Sequence, residues 1–362
     1  MVGLYIHIPF CKKRCNYCDF TSYSSFGEKE YLIDPYLKAL EIEAGAVKCI
    51  RPDTIYIGGG TPSLLSNKQL QKLFSILNCK FDLSRIKEIS FEANPESINK
   101  DKFSLLKDNN VNRVSLGFQS CKAKYLKILG RIHSNEDALN AFNTAKILGF
   151  DFVNIDLIFG LPFQTLREWI SDLKNVLNLA PNHISIYELT MEPDSPMCEL
   201  KQHVDQDLAA DMYKEGIDLL LSNGYLHYEI SNFSKPGCEC KHNLNYWLNG
   251  EYAGLGVGAS SYIKGRRFRN SNDIKAYISQ AQEGKFQNED VVTITQESKN
   301  KEKFFLGLRL TEGVRCSKKE KNMLKEKLSE FMPKGLVAFK NERVALTSKG
   351  IMLANQILRE LL

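Results

Sequence analysis

Six short runs of β-branched and aromatic residues alternate with helical patterns over the first half of this chain. The runs occupy residues 4–8, 54–58, 88–92, 113–117, 152–158 and 183–189. Between the runs, segments such as 68–77 and 136–149 repeat their apolar residues at helical spacing. Six successive β–α units predict a parallel sheet covered by helices, in the form of an open or partial barrel. In such a fold the functional loops leave the C-terminal ends of the strands.

The pattern changes in the second half of the chain. A long helical pattern at 208–224 precedes a stretch rich in Cys, Gly and Asn at 231–258. The remainder is basic and helix-rich, and it ends in two short strands and a helix. We therefore predict an α/β protein with a partial (βα)6 barrel core at 1–200, barrel-flanking helices at 201–290, and a smaller α+β domain at 291–362.

Composition restricts the chain to the class of ordinary globular proteins. Charged residues make up 25% and apolar residues 43% of its 362 residues, and the formal charge is +5. These values exclude the disordered and fibrous classes. No run of 18 apolar residues and no signal-peptide pattern is seen, so we expect a cytoplasmic protein. The basic cluster 264–269 is predicted as a solvated surface loop, and the lack of an aromatic-interleaved basic stripe predicts no nucleic-acid partner.

Three of the ten cysteines, Cys11, Cys15 and Cys18, follow the first predicted strand with the spacing C-x3-C-x2-C. Clustered thiols in a reducing compartment bind metal or do redox chemistry more often than they form disulfides. Thiolates at this density hold zinc or an iron–sulfur cluster. A structural zinc site needs a fourth ligand, such as His7 or a cysteine of the distant "CEC" segment at 238–240. A cubane on three cysteines instead leaves one iron open to a small molecule.

Polar or glycine-rich segments recur at the same end of four successive strands. "GGGTP" at 58–62 follows the second run, Glu92 ends the third, Gln119 follows the fourth, and Asp156 lies in the fifth. Glycines let backbone amides and carbonyls approach a ligand closely. A single polar residue of this kind commonly caps a helix or faces water. Because the group recurs at one end of the sheet, the sequence favours a shared binding site there.

The cysteine spacing resembles the signature of the radical S-adenosylmethionine (SAM) superfamily. In that superfamily the iron without a protein ligand binds the amino and carboxylate groups of SAM, and an electron from the cluster cleaves its sulfonium. The wider context "YIHIPFC" at 5–11 resembles the HemN-like family, which includes oxygen-independent coproporphyrinogen III oxidase and haem chaperones. The resemblance implies a 4Fe-4S cluster with Cys11, Cys15 and Cys18 as its protein ligands.

The same resemblance implies a SAM site built from several strands. In the family the glycine-rich motif binds the SAM amino group, and an aspartate binds the ribose hydroxyls. A threonine, placed by its spacing from that aspartate, makes a backbone contact. Carried over motif by motif, the implied SAM contacts in this sequence are Tyr5, Gly59, Gly60, Thr61, Glu92, Gln119, Arg131, Asp156 and Thr190. We assign no catalytic residue.

Two features favour the chaperone branch of the family over the oxidase branch. The oxidase has a fourth cysteine two residues after the third, where this chain has Phe20. The segment "HNLNYW" at 242–247 resembles a motif associated with haem binding, in which His242 is the implied haem ligand. A thiolate from Cys238 or Cys240 is the alternative ligand.

The resemblance thus implies a chaperone that binds a 4Fe-4S cluster, SAM and haem. It would deliver haem to haem-dependent respiratory proteins, with a contact at the membrane surface as one route. The alternative is an oxidase that decarboxylates two propionates of coproporphyrinogen III to give protoporphyrinogen IX. The segment 304–314 resembles the start of the family's C-terminal domain. The electron donor, the haem acceptor and the formation of a homodimer stay open.

Overall fold

The computed structural model describes residues 1–24, 30–47, 49–190, 197 and 205–360. The strands are β1 Val2–Ile8, β2 Phe10–Cys11, β3 Tyr23–Ser24, β4 Thr54–Gly59, β5 Glu88–Ala93, β6 Arg113–Gln119, β7 Phe152–Phe159, β8 His183–Glu188, β9 Leu226–Glu229, β10 Asn232–Ser234, β11 Glu251–Leu255, β12 Ser260–Ile263, β13 Arg266–Arg269, β14 Glu289–Thr293, β15 Val314–Arg315, β16 Val337–Lys340 and β17 Arg343–Leu346. The α-helices are α1 Ile33–Ala46, α2 Asn67–Lys80, α3 Lys100–Asp108, α4 Ala123–Ile128, α5 Asn135–Ile147, α6 Leu166–Leu179, α7 Gln206–Ser222, α8 Lys241–Trp247, α9 Ile274–Gln282, α10 Gln296–Gly307, α11 Lys318–Lys327, α12 Ser348–Ile351 and α13 Ala354–Arg359.

The six predicted β–α units are confirmed as a partial parallel barrel. Strands β1, β4, β5, β6, β7 and β8 are neighbours in that order, and each pair is parallel. Local sequence fixes where the covering helices begin, because Ser66, Ser134 and Thr165 form capping boxes at the starts of α2, α5 and α6. All six functional strand ends therefore face the same side of the molecule.

Alternation along each strand separates an apolar outer face from a polar inner face. On β1, Leu4 and Ile6 are fully buried in the main hydrophobic core, whereas Tyr5 and His7 belong to the opposite face. The same alternation continues around the barrel. The inner positions of the other strands are filled by Thr54, Tyr56, Glu88, Ser90, Glu92, Arg113, Ser115, Asn154, Asp156, His183 and Ser185. The barrel interior is thus lined by groups that need hydrogen-bond partners.

Strands from the middle of the chain extend this sheet at both edges. Strand β11 pairs in parallel with β1, and β12, β13 and β14 follow as antiparallel neighbours. At the other edge β10 and β9 follow β8. Twelve of the seventeen described strands thus form one sheet that runs past the barrel on either side. Strand β14 belongs to that sheet although it crosses residue 291, and the division of the chain into three domains stays a prediction.

The prediction that residues 264–269 form a solvated loop was wrong. Arg266–Arg269 is strand β13, held between β12 and β14. Lys264 and Gly265, with φ of 48° and 74°, form a two-residue hairpin turn that aligns Ile263 with Arg266. Arg267 makes a two-pronged contact with Glu302, with nitrogen–oxygen distances of 2.8 and 3.1 Å. Arg267 and Arg269 of this strand therefore have acidic partners within the protein.

The C-terminal part forms a small sheet packed with helices. Strands β15, β17 and β16 are antiparallel neighbours in that order, which confirms the two short strands predicted near the end of the chain. Buried apolar residues such as Phe304, Leu324 and Val344 join the same core as the barrel helices. Within the described ranges, no helix is both long and apolar enough to cross a lipid bilayer.

A buried ion pair joins β5 and β6 at the N-terminal ends of the barrel strands. Arg113 Nε lies 2.9 Å from Glu88 Oε2, and the two side chains are only 2% and 0% exposed. Burial by itself would raise the pKa of Glu88, but Arg113 and the backbone N–H groups of Lys241 and His242 lower it. Arg113 also donates to the carbonyl oxygens of Cys238 and Glu239. The pair therefore binds the start of α8 to the N-terminal end of the barrel strands, which we call the barrel floor.

We expect Arg113→Ala to destabilise the protein strongly, because it leaves the Glu88 carboxylate buried without its cation. Removing one partner of such a pair costs about 3–5 kcal/mol of unfolding free energy. The matched control is Lys87→Ala, which removes the solvent-exposed partner of Asp53 at 3.2 Å and should cost at most about 1 kcal/mol. Urea unfolding followed by circular dichroism measures both changes. Similar losses in the two variants would contradict a structural role for the buried pair.

Candidate SAM and cluster site

The loop that carries the three cysteines is fixed to the barrel at several points. Its two ends are held together because β2 and β3 pair in parallel. Asn16 donates its backbone N–H to the Leu129 carbonyl at 3.0 Å and its side-chain amide to the Ile128 carbonyl at 2.8 Å. His7 lies 2.7 Å, through Nε2, from the Thr21 carbonyl oxygen. The loop is therefore clamped across the C-terminal end of the barrel.

The imidazole of His7 uses both nitrogens within the protein. A carbonyl oxygen only accepts hydrogen bonds, so Nε2 carries the proton that bonds Thr21. Burial lowers the pKa of His7, and the neutral ring accepts at Nδ1 from the Tyr5 hydroxyl at 2.9 Å. Both nitrogens that could bind a zinc ion are thus engaged. Tyr5, an implied SAM contact, is not among the described residues that line the cavity beneath the loop.

Three free thiols line one wall of a single cavity. Cys11 is buried, and Cys15 and Cys18 are half-buried. Thr61 Oγ1 lies 3.5 Å from the Cys11 sulfur, and Arg131 Nη1 lies 3.5 Å from the Cys15 sulfur. A hydroxyl donor beside Cys11 favours the thiolate form that iron requires. In the metal-free protein, burial raises the pKa of Cys11 to about 11, so cluster binding must displace that proton.

The three thiols and Gly60 line the same cavity. Among the described residues, no three His, Cys, Asp or Glu side chains form a group that could hold one metal ion. In a cubane each cysteine binds a different iron, so its ligands surround a larger object. Gly60 is needed beside them, because a Cβ atom there would lie 2.9 Å from the Cys11 sulfur. The residues present fit a cluster on this wall.

The cavity has a volume of about 390 Å³ and lies at the C-terminal ends of the barrel strands. This size is within the range of pockets that bury small-molecule ligands. Most of the implied SAM contacts line it together with the cysteines, and these are Gly59, Gly60, Thr61, Glu92, Gln119, Arg131, Asp156 and Thr190. The structure therefore brings together residues that are up to 179 positions apart in the sequence.

Glu92 is held in the cavity by two donors. The Tyr56 hydroxyl donates to Oε1 at 2.6 Å, and the Gly59 backbone N–H donates to Oε2 at 3.1 Å. Burial, with the charge of Asp156, raises the pKa of Glu92 to about 7 against the effect of these two bonds. Gly58 must lack a side chain, because its Cβ would lie 2.8 Å from the Glu92 carboxyl carbon. Glu92 is thus an oriented acceptor for an amino or hydroxyl group.

Asp156 is oriented by a chain of buried polar side chains. Ser115 Oγ donates to Oδ2 at 2.7 Å, and the Asn154 amide donates to Oδ1 at 2.8 Å. A carboxylate only accepts hydrogen bonds, so the Asn154 amide nitrogen faces Asp156 and its amide oxygen lies 2.6 Å from His183 Nδ1. Burial raises the pKa of Asp156. The carboxylate keeps lone pairs for a ligand hydroxyl, as a ribose contact requires.

The Arg131 and Gln119 side chains both lie beside Gly117, near the end of β6. Arg131 Nη2 donates to the Asn94 side-chain oxygen at 2.7 Å and to the Gly117 carbonyl at 3.0 Å. Gln119 adopts a left-handed backbone with φ of 65°. A Cβ on Gly117 would lie 3.0 to 3.2 Å from the Gln119, Asn94 and Arg131 side chains. Thr190 lies exposed at the rim, after Leu189 bonds the Phe159 carbonyl.

His242 lies at the opposite end of the barrel from the cysteines. Its Nδ1 is 2.9 Å from the Thr54 hydroxyl and its Nε2 is 3.0 Å from the Tyr246 hydroxyl. The side chain is 1% exposed, and burial lowers its pKa to about 4. Haem binding at His242 stays a prediction, and an iron could bind the ring only after one hydroxyl has left its nitrogen.

Cys238 and Cys240, the alternative haem ligands, also lie at the barrel floor, beside Arg113 and Glu88. Cys240 is buried with its sulfur 3.4 Å from Glu88 Oε1, and burial raises its pKa to about 12. Cys238 is half-buried, and its carbonyl accepts from Arg113. Glu88 is four residues from Glu92 on β5, which corresponds to about 13 Å along the strand. These thiols are thus at the wrong end of the barrel to complete a site with Cys11.

Comparisons with known proteins identify relatives of this chain by sequence and by fold. The radical SAM superfamily profile matches residues 5–176. The heme chaperone HemW of Bacillus subtilis (strain 168) is 39% identical over 376 residues, which cover 99% of this chain and 98% of that protein. This chain belongs to the HemW family of radical SAM proteins. The Escherichia coli (strain K12) member is 40% identical over 265 residues, which cover 72% of this chain and 70% of that protein.

Fold comparison places the HemW-family chain beside a solved radical SAM enzyme. Coproporphyrinogen III oxidase (HemN) from Escherichia coli superposes with a TM-score of 0.86 at 25% identity. The match covers 99% of this chain and 89% of the oxidase. Membership of the radical SAM superfamily implies a 4Fe-4S cluster and SAM as cofactors.

Sequence reasoning missed several side chains that line this HemW-family cavity. Tyr56 and Asn94 each lie two residues from a position singled out in the sequence, in Gly58 and Glu92, and Ser115 lies four residues before Gln119. The period-2 alternation of strands could have identified them. Tyr187 also lines the cavity and continues the alternation of His183 and Ser185 on β8, whereas Tyr17 lies in the cysteine loop, where no periodic pattern indicates a direction.

We expect Cys15→Ser to prevent cluster assembly in this HemW-family protein. After anaerobic reconstitution with iron and sulfide, the unchanged protein should bind ~4 irons per chain and show the broad charge-transfer absorption of a cubane. Loss of one of three thiolates should reduce bound iron severalfold and remove that absorption. Cys79→Ser, at an exposed thiol on α2, is the matched control and should keep both. Equal iron content in the two variants would contradict the ligand assignment.

Proposed function

We propose that this protein is a haem chaperone that binds a 4Fe-4S cluster, SAM and haem. The observation that carries the proposal is the single cavity in which three thiols meet the oriented carboxylates of Glu92 and Asp156. The relatives that cover almost the whole chain are named heme chaperones, which supports haem as the cargo. Haem-dependent respiratory proteins are the proposed recipients.

Cys11, Cys15 and Cys18 would hold the cluster, and SAM would occupy the cavity beside it. When bound, the cluster supplies the electron that radical SAM proteins use to cleave the SAM sulfonium. The residues of this chain orient the cosubstrate. The Gly59–Gly60 backbone and Glu92 suit its amino group, and Asp156 suits the ribose hydroxyls.

Phe20 supports the chaperone branch. It follows the third cysteine by two residues, where the oxidase has a fourth thiol, and its side chain is 67% exposed at the edge of the cavity. A phenyl ring cannot ligate iron or donate a hydrogen atom as a thiol does. It offers an apolar face to a flat ligand instead.

Haem would bind through His242, because the imidazole is a common axial ligand and flat aromatic rings surround it. The rings of Tyr56 and Tyr246 lie 5.3 and 5.1 Å from the His242 ring, centre to centre. Ligation requires that either Thr54 or Tyr246 gives up its hydrogen bond to the ring. Haem capture would therefore rearrange the barrel floor around α8.

The second candidate is oxygen-independent coproporphyrinogen III oxidase. The fold match to HemN over almost the whole chain favours it, since both proteins would offer the same barrel to a porphyrin. The two candidates differ in chemistry, because the oxidase removes a hydrogen and carbon dioxide from each of two propionates. A chaperone leaves the porphyrin unchanged.

One experiment separates the two candidates. The cluster-loaded protein is incubated anaerobically with coproporphyrinogen III, SAM and a reductant, and a second sample is titrated with haem. We expect no protoporphyrinogen IX by chromatography, and we expect a saturable Soret absorption at about one haem per chain. His242→Ala should retain the cluster absorption but lose haem severalfold.

Two results would overturn the proposal. Formation of protoporphyrinogen IX would assign the protein to the oxidase branch. A haem titration that does not saturate would remove haem as cargo. Unchanged haem retention in His242→Ala would move the axial ligand to another residue, with Cys238→Ser as the next variant to titrate.

A further inference from the structure

The Tyr56 side chain contacts Glu92 in the cavity and His242 at the opposite end of the barrel interior. It lies at the middle of β4, lines the cavity, and donates its hydroxyl to Glu92 at 2.6 Å. Its ring lies 5.3 Å from the His242 ring, inclined by 32°. No other contact described above joins a residue of the cavity directly to His242.

The alternation of β4 explains this position. Thr54, Tyr56 and Gly58 are two residues apart, so all three face the barrel interior. Thr54 bonds His242, Tyr56 contacts both His242 and Glu92, and Gly58 leaves room for the Glu92 carboxyl. A single strand face thus runs from the barrel floor to the cavity.

Tyr56 has little freedom to move independently of these neighbours. The Tyr5 ring stacks on it at 6.3 Å with an interplanar angle of 30°. A Cβ on Gly58 would lie 2.9 Å from the Tyr56 ring. A shift of the Tyr56 hydroxyl therefore moves its ring against His242, because closely packed side chains transmit displacements rather than absorb them.

We infer that Tyr56 couples occupancy of the cavity to the position of His242. A ligand whose amino or hydroxyl group binds Glu92 competes with the Tyr56 hydroxyl for that carboxylate. The ring of Tyr56 then repacks against the imidazole and alters the bonds that hold α8. Tyr56 is in this sense a positioning residue. The inference rests on the proposed binding of SAM in the cavity, and it does not depend on haem.

The test uses hydrogen exchange of the cluster-loaded protein with and without saturating SAM. In the unchanged protein, SAM should alter the exchange rate of peptides covering residues 241–247 by at least about fivefold, the lower end of typical allosteric coupling. In Tyr56→Phe the ring stays but the hydroxyl is lost, so the change should fall below about twofold. Equilibrium dialysis confirms that SAM is bound in each sample.

Tyr277→Phe is the matched control. Tyr277 also donates to a buried glutamate, Glu43, at 2.6 Å, and burial likewise raises the pKa of that carboxyl to about 7. Neither residue is among the described residues that line the cavity. This variant should keep the full response of α8 to SAM, so a general effect of losing a buried tyrosine hydroxyl is separated from coupling.

A second measurement covers the case in which Tyr56→Phe binds SAM poorly. By reciprocity, a change at His242 must alter SAM affinity if the two sites are coupled. His242→Gln should therefore change the SAM dissociation constant at least about fivefold when Tyr56 is present, and below about twofold in the Tyr56→Phe background. SAM dialysis gives both values without haem.

The inference is overturned if SAM leaves α8 exchange unchanged in the natural protein, or if Tyr56→Phe responds like Tyr277→Phe. Failure of the proposed function is a different result, namely a haem titration that does not saturate. Neither hydrogen exchange nor SAM dialysis uses haem, so the inference and the proposed function can fail separately.

Discussion

The clamp that holds the cysteine loop across the barrel end is the constraint on which the rest of the structure depends. Three thiols on a free loop would have no fixed relation to the strand ends. His7 on β1 bonds the Thr21 carbonyl of the loop, Asn16 of the loop donates to the Leu129 and Ile128 carbonyls, and the β2–β3 pair joins the two ends of the loop. Because of these contacts, the cysteines share one cavity with Glu92 and Asp156.

The polar barrel interior has a cost that its hydrogen bonds offset. Burying a carboxylate without partners is strongly unfavourable, and the raised pKa values of Glu92 and Asp156 express that cost. Tyr56, Ser115 and Asn154 reduce it by donating to these oxygens. At Asp156 these bonds fix the direction of the acceptor before a ligand arrives, so binding there requires little rearrangement.

Much of the barrel could be predicted from the sequence, because its strands and helices are local patterns. Runs of residues such as 54–58 and 152–158 carry their own strand signal, and capping boxes mark helix starts. The edge strands could not be predicted, since β11 joins β1 through pairs such as Val2 with Glu251. No local pattern indicates a partner nearly 250 residues away.

Part of the candidate site could be predicted because its residues lie in short local motifs. Motif resemblance indicated the cysteines and the residues at the strand ends. It did not indicate that both nitrogens of His242 are bonded, because Thr54 lies 188 positions away in the sequence. Tyr56 escaped notice because a tyrosine in a β-rich run is an ordinary strand residue. Its contact with two distant residues follows only from the folded barrel.

We propose that three cysteine thiolates leave one iron of a cubane open to SAM. The most direct measurement is electron–nuclear double resonance of the reduced cluster, with ¹⁷O in the SAM carboxylate and ¹⁵N in its amino group. We expect hyperfine coupling from both labels, because SAM would chelate one iron through both groups. An absence of coupling from either label, with a cluster spectrum that SAM does not alter, would contradict it.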